Sequence, residues 1–265
     1  MRMLLKPIHL LYNLYAFITF VAVMLLIFPF VIIASFFGRI KGGNMILRLC
    51  MLWADIWFPL IFIFFKKIFE SSHDRSKQFV FITNHISYLD PSVLVKAIRQ
   101  PFRPLAKVEL SKVPVFGFIY KYAVVAVDRS SANNRAASIR ILKSITSKGI
   151  SIMVFPEGTF NMTNKPLKDF YDGAFRIAIE TQTPIKPILF LDNYDRMHHK
   201  DIFSLTPGKC RIVYLDAIPV NGYRIEDVPL LKQKVYDIME NKLMEYKASW
   251  IKTITSKTPF KEETY

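Results

Sequence analysis

His85 and Asp90 stand five positions apart in the stretch Asn84-His85-Ile86-Ser87-Tyr88-Leu89-Asp90. A neutral imidazole can take a proton near pH 7, and a neighbouring carboxylate can fix its tautomer and stabilise the imidazolium that forms. The pair could therefore act as a general base and the group that orients it. The apolar run from Gln78 to Thr83 reads as a buried strand, and Pro91 with Ser92-Val93-Leu94-Val95 opens a short helix. A strand-to-helix turn of this kind holds side chains precisely. Asp followed by Pro is also what a helix cap and a first-turn proline look like. On this stretch alone, Asp90 could be a cap and His85 incidental.

A second turn, Phe155-Pro156-Glu157-Gly158-Thr159, follows the apolar strand Ile150 to Phe155. In this order and spacing, the two turns resemble those of the 1-acylglycerol-3-phosphate acyltransferases (PlsC-like enzymes), over roughly Gln78 to Pro219. The resemblance implies transfer of a fatty acyl group from acyl-CoA or acyl carrier protein to a lysophospholipid hydroxyl. His85 and Asp90 would be the catalytic residues, His85 deprotonating the acceptor and Asp90 orienting it. Glu157, Gly158 and Thr159 would help bind the acceptor. Lys107 and Arg129 resemble the family's intermediate motifs and could hold phosphate or polarise the thioester; a solvated or ion-paired role suits either as well. No cofactor is implied, because the thioester carries the activation.

The pattern departs from the family after Gly158-Thr159. An arginine is common there, and this chain has Phe160 followed by Asn161. Arginine is a natural bidentate phosphate ligand. Either Arg129, Lys107 or Lys168 supplies the charge instead, or the acceptor is another lysolipid, such as one built on ornithine or glycine. Two rivals stay open, a transacylase that needs no thioester donor and a non-catalytic lipid-binding protein of the same fold.

Other chemistries find less support. No Gly-x-Ser-x-Gly elbow occurs, Cys50 and Cys210 lack a histidine companion, and Ser87 is the only candidate nucleophile. His198-His199 with Asp195 and Asp201 invites a metal reading, but four such residues crowded in one short polar stretch read as an exposed loop without metal.

The 265 residues suffice for one large domain with an appendage, and the net charge of +15 favours anionic partners. Nucleic acid is disfavoured because the basic residues are dispersed and the aromatics cluster in apolar runs. Two distant cysteines form no disulfide framework or metal spacing, as suits a reducing compartment.

The apolar excess lies before Lys66. His9 to Phe37 is long enough to cross a bilayer and too long for a signal peptide, with a kink expected at Pro29 and a basic, flexible break from Arg39 to Asn44. Met45 to Phe65 reads as one helix lying in the interface, with Arg48 and Asp55 on one face and Trp53 and Trp57 at headgroup level. A two-span hairpin would put Arg2, Lys6, Lys66 and Lys67 on one side and Arg39 and Lys41 on the other, so charge gives no clean orientation. The expectation is a membrane-associated protein with its catalytic domain on the cytoplasmic face.

From Gln78 onward strands and helices alternate. Strands are expected at 102–110, 123–127, 150–155, 185–191 and 211–215. Helices are expected after Pro114, from Ser131 to Gly149, from Gly173 and from Glu226 to Trp250. The pattern predicts an α/β fold with a mostly parallel central sheet flanked by helices, preceded by an N-terminal membrane-associated helical pair. The expected organisation is helices over 1–70, an acyltransferase domain over 71–250 and a charged tail over 251–265. His85, Arg129 and Glu157 all follow strands, where ligands bind in open α/β sheets.

Overall fold

A computed structural model describes residues 2–107, 115–127 and 140–251. The run Val80-Phe81-Ile82-Thr83 forms strand β2 (Val80–Thr83), and all four residues are buried. Val80 and Ile82 enter one apolar core, while Phe81 enters another on the opposite face. A strand covered on both faces needs such an unbroken apolar run, not alternation.

β2 lies inside a seven-stranded sheet with β1 (Ile63–Phe69), β3 (Phe102–Lys107), β4 (Val125–Val127), β5 (Ser151–Val154), β6 (Ile185–Phe190) and β7 (Gly208–Tyr214). The order is β1-β7-β6-β2-β5-β3-β4. Neighbours pair in parallel except β6 and β7, which are antiparallel. The sheet is therefore mostly parallel, as the strand-helix alternation predicts. Strands β2 to β6 point their carboxyl ends to one edge, and His85, Glu157 and Asn193 all follow strands there.

Helices cover both faces. One carries α5 (Gly173–Glu180) and α7 (Val228–Glu245), whose apolar residues pack against Val80, Ile152 and Val213. The other carries α2 (Gly43–Leu60) and α3 (Asp90–Ala97), packed against Phe81, Met153 and Ile188. α4 (Phe116–Ala123) precedes β4, and α6 (Asn193–Arg196) follows β6. Helix is also present over 140–146, and Gly149 ends it at φ +72°, a conformation glycine takes without strain. Glu109, Ser131, Ala136, Ile139 and the tail from Thr253 lie outside the described residues.

The N-terminal region differs from expectation in three ways. Met45 to Phe65 is not one helix: α2 ends at Leu60, Phe62 turns the chain at φ 55°, and β1 begins at Ile63. The β-rich run Ile63-Phe64-Phe65 pairs with β7, so this end of the apolar stretch belongs to the sheet. Trp53 and Trp57 do not face outward. They stack at 4.9 Å, and their Nε1 groups donate to the Phe20 and Ala16 carbonyls at 3.3 and 3.1 Å. Tryptophan needs a hydrogen-bond partner when buried, and these two find it on α1 (Arg2–Ser35). Finally, Gly38–Gly42 forms a helical turn instead of a loose break. A Cβ on Gly42 would lie 2.3 Å from the Ala34 carbonyl oxygen, and one on Gly43 would lie 2.4 Å from that of Tyr122. Close approach requires these glycines. Arg103, buried on β3, donates to the Arg39 and Ile40 carbonyls and fastens the turn to the sheet.

α1 continues through Pro29 and packs on α2 by a narrow stripe including Ala16, Val23, Ile27, Val31 and Ala34. Its segment Pro7–Ser35 is long enough to cross a membrane and reaches a mean hydropathy of 2.9 over an 18-residue window, most of which is not buried.

Candidate active site

The turn after β2 brings His85 and Asp90 together. Asp90 is the first residue of α3 but does not cap it, because its carboxylate folds back over the turn. Oδ2 accepts hydrogen bonds from His85 Nδ1 at 2.8 Å and from the Ile86 and Ser87 main-chain N–H groups at 2.7 and 2.9 Å. Facing this acceptor, Nδ1 carries the ring proton and Nε2 keeps a lone pair. Asp90 is fully buried, while the His85 side chain retains 15% exposure. The capping alternative is thereby removed, and the pair has the geometry of a base with its orienting carboxylate.

Aromatic rings enclose the imidazole. Phe155 stacks on it at 4.0 Å and 18°, Phe160 leans on it at 4.3 Å, and Tyr88 meets Phe160 edge-on. Phe160, where the family pattern commonly has arginine, thus forms a wall of the histidine site.

The Glu157 turn grips the main chain of His85. Glu157 Oε1 accepts from the His85 N–H at 2.8 Å, Oε2 accepts from the Lys168 N–H at 3.0 Å, and the Asn161 N–H donates to the His85 carbonyl at 2.7 Å. Burial pushes the Glu157 carboxyl up to about 8, against the pull of those two N–H groups. Both of its oxygens are thus engaged by main chain. Gly158 takes φ +71°, and its N–H closes the turn onto the Phe155 carbonyl. Thr159 Oγ1 accepts from Lys168 Nζ at 2.9 Å, placing that ammonium beside the turn. Lys107 ends β3 on the same edge of the sheet, but its side chain lies outside the described part, as does Arg129 altogether.

Residues 192–199 form a further wall that the sequence did not reveal. Ser87 Oγ donates to the Met197 carbonyl at 2.5 Å and accepts from the Leu89 N–H at 3.0 Å, so this hydroxyl braces the turn. Asn193, fully buried, donates to Asp90 Oδ1 at 2.8 Å. The reading of this stretch as an exposed loop holds at Asp195 and Asp201 but not at His199. His199 is only 7% exposed and faces Phe160, and burial holds its imidazole below the usual range. His198 Nε2 meets Tyr194 Oη at 2.7 Å, while its Nδ1 accepts from the Lys200 N–H. Apolar residues at Met197 and Leu205 draw this polar segment inward.

A mostly apolar recess opens between α1, α2, α3 and α4. Phe20, Met24, Phe28, Leu49 and Trp53 line it, and Pro91 and Ser92 bring it to the residues beside Asp90.

An imidazole–carboxylate pair in a turn outside the carboxyl ends of a mostly parallel sheet is an arrangement that can move a proton during group transfer. Comparison with known proteins shows what the chain is similar to. Residues 66–191 match the family model described as Acyltransferase. An uncharacterized acyltransferase of Schizosaccharomyces pombe is 33% identical over 177 residues, covering 64% of this chain and 62% of that protein. The 1-acyl-sn-glycerol-3-phosphate acyltransferase alpha of Ovis aries is 30% identical over 162 residues, covering 60% of this chain and 56% of that protein. The matched region thus spans about three fifths of these relatives' lengths. The crystal structure of PlsC, the 1-acyl-sn-glycerophosphate acyltransferase of Thermotoga maritima, superposes with a TM-score of 0.75 at 23% identity, covering 93% of this chain and 99% of that one, and so shares its fold. Residues 66–191 are thus similar to an acyltransferase domain, carried on the fold that PlsC shows.

Proposed function

We propose that the protein transfers a fatty acyl group from a thioester, on CoA or acyl carrier protein, to the free hydroxyl of a lysophospholipid. 1-Acylglycerol-3-phosphate, giving phosphatidate, is the acceptor that the named relatives favour. The observation that carries the reading is the His85 Nδ1 to Asp90 Oδ2 hydrogen bond at 2.8 Å, which leaves Nε2 free to accept a proton.

In the proposed reaction, His85 Nε2 takes the proton of the acceptor hydroxyl as its oxygen attacks the thioester carbonyl carbon. The tetrahedral intermediate collapses, the C–S bond breaks, and the departing thiolate takes the proton back from His85. Asp90 stabilises the imidazolium in between. Asp90 therefore acts through His85, and Glu157 through the main-chain bond that holds His85 in place. A covalent route through Ser87 is disfavoured, because that hydroxyl is buried and committed to the Met197 carbonyl. For substrate binding we assign the Gly158–Thr159 turn, the neighbouring Lys168, and Lys107 and Arg129 on the family pattern. The apolar recess would take an acyl chain.

The outer face of α1 supports a membrane-associated protein, with α1 and α2 as the membrane-binding part, the acyltransferase domain beside the cytoplasmic face and the basic residues drawn to anionic headgroups. The testing experiment offers labelled thioester to the purified chain in liposomes with lysolipids of phosphate, phosphodiester and aminoacyl headgroup. Transfer to lysophosphatidate is expected. Transfer only to an ornithine or glycine lysolipid would keep the mechanism and replace the acceptor. Acyl exchange between phospholipids without any thioester would overturn the donor and favour a transacylase.

A further inference from the structure

We propose that Asn193 is a positioning residue for the transfer reaction, holding the second oxygen of Asp90 so that the first stays on His85; this rests on the function proposed above. The geometry is a chain of two bonds, from His85 Nδ1 to Asp90 Oδ2 at 2.8 Å and from Asn193 Nδ2 to Asp90 Oδ1 at 2.8 Å. Both Asp90 and Asn193 have no exposed surface, so water cannot replace the amide.

The amide is placed for the carboxylate. Its own Oδ1 is buried without a hydrogen-bond partner, and the reverse orientation would set oxygen against oxygen at 2.8 Å. A buried carbonyl left unpaired is the cost of facing the NH₂ group to Asp90. The backbone that carries Asn193 is fixed from both sides. Asp192 is held by Arg211 through Nη2 at 2.7 Å and Nε at 2.9 Å, and the Met197 N–H donates to the Asn193 carbonyl at 3.0 Å. Position 193 is thus rigid, on a segment that also receives the Ser87 hydroxyl.

Two effects on the reaction follow. The amide stops the carboxylate from rotating, which keeps Oδ2 aligned with Nδ1. It also spreads part of the Asp90 charge, tempering the attraction of the carboxylate for the imidazole proton. Without the amide, the ring would hold its proton to higher pH and serve less well as a base. Among the described residues, the titratable groups near His85 and Asp90 include Glu157 on the His85 main chain, His199 across Phe160, Lys168 beyond Glu157 and the buried Cys210 thiol, and Asp90 Oδ1 takes its hydrogen bond from Asn193.

Asn193→Ala and the near-isosteric Asn193→Leu, which has no donor, test this in the full-length protein in detergent. Histidine ring ¹⁵N shifts followed against pH, with His85 assigned by its loss in His85→Ala, read the ring without any substrate. The midpoint for protonation of His85 is expected to rise in both variants, since neither side chain can donate a hydrogen bond to Asp90 Oδ1. In the transfer assay, kcat is expected to fall roughly 10-fold or more with KM little changed, the acid limb moving to higher pH. An unmoved midpoint in either folded variant would overturn the proposal, as would a rise in KM alone. Should Asn193→Ala fail to fold, the leucine variant carries the test. A parent protein that transfers no acyl group refutes the proposed function, while the ring titration still decides the role of Asn193.

Discussion

At the scale of single residues, the site is a histidine whose ring and main chain are both fixed. The ring is held by Asp90 and two phenylalanines, and the main chain by Glu157 and Asn161. Asp90→Asn would replace the acceptor with an amide that can turn its NH₂ toward Nδ1, and would select the wrong tautomer. The expected outcome is a fall in kcat of roughly 100-fold or more with a folded protein, read by steady-state rates beside a thermal melt. Glu157 gives a pH prediction with a defined sign. Its folded carboxyl sits at about 8 against an unfolded value near 4.5. The folded state therefore binds the extra proton, and this contribution to stability is complete below pH 4.5 and lost as pH rises through 8. Compared with Glu157→Gln, the parent protein should lose stability across that window, by at most about 1.4 kcal/mol for each unit crossed. Parallel melting curves at pH 5 and pH 8 check it.

At the scale of elements, the strand-to-helix turns were legible because short apolar runs bounded by His, Asp, Pro and Gly have few other readings. His85, Asp90 and Glu157 could be found this way. Asn193 could not, because one asparagine in a polar stretch carries no periodicity, and its partner lies 103 positions away. The helix-strand boundary at Leu60 was hidden for a different reason. Both α2 and β1 are apolar, so composition does not change where the backbone does. The two tryptophans misled in the same way, since a buried ring with a carbonyl partner and a headgroup ring have the same sequence. The contact between α1 and the sheet domain also rests on specific polar residues. Asn13 donates to the Leu205 carbonyl at 3.2 Å and accepts from its N–H at 3.0 Å, and His9 reaches the same carbonyl. Asn13→Leu would leave the buried Leu205 N–H unpaired, at a cost of about 1–3 kcal/mol in a denaturant melt. A bulky residue in the recess makes a separate prediction. Leu49→Trp should shift preference toward shorter acyl chains in a competition among thioesters of different length, with the rate on the shortest little changed.

At the scale of the whole molecule, one sheet presents its chemistry at one edge while an apolar helix runs along the side. The outward face of α1 carries exposed Leu10, Leu14, Phe17, Leu25, Leu26 and Phe30. Burying such a face in lipid would localise the acyltransferase where its acceptor dissolves. Replacing Phe17, Leu26 and Phe30 together by serine should release much of the protein from sedimenting anionic vesicles, without removing the His85–Asp90 hydrogen bond. The central claim is that His85 is the base for acyl transfer, and it is most directly tested by the rate of label transfer from a thioester to lysophosphatidate in liposomes, for the parent protein beside His85→Ala. Product formation by the parent, reduced roughly 100-fold or more in the variant at equal melting temperature, is the predicted result. Equal rates in the two proteins would contradict it.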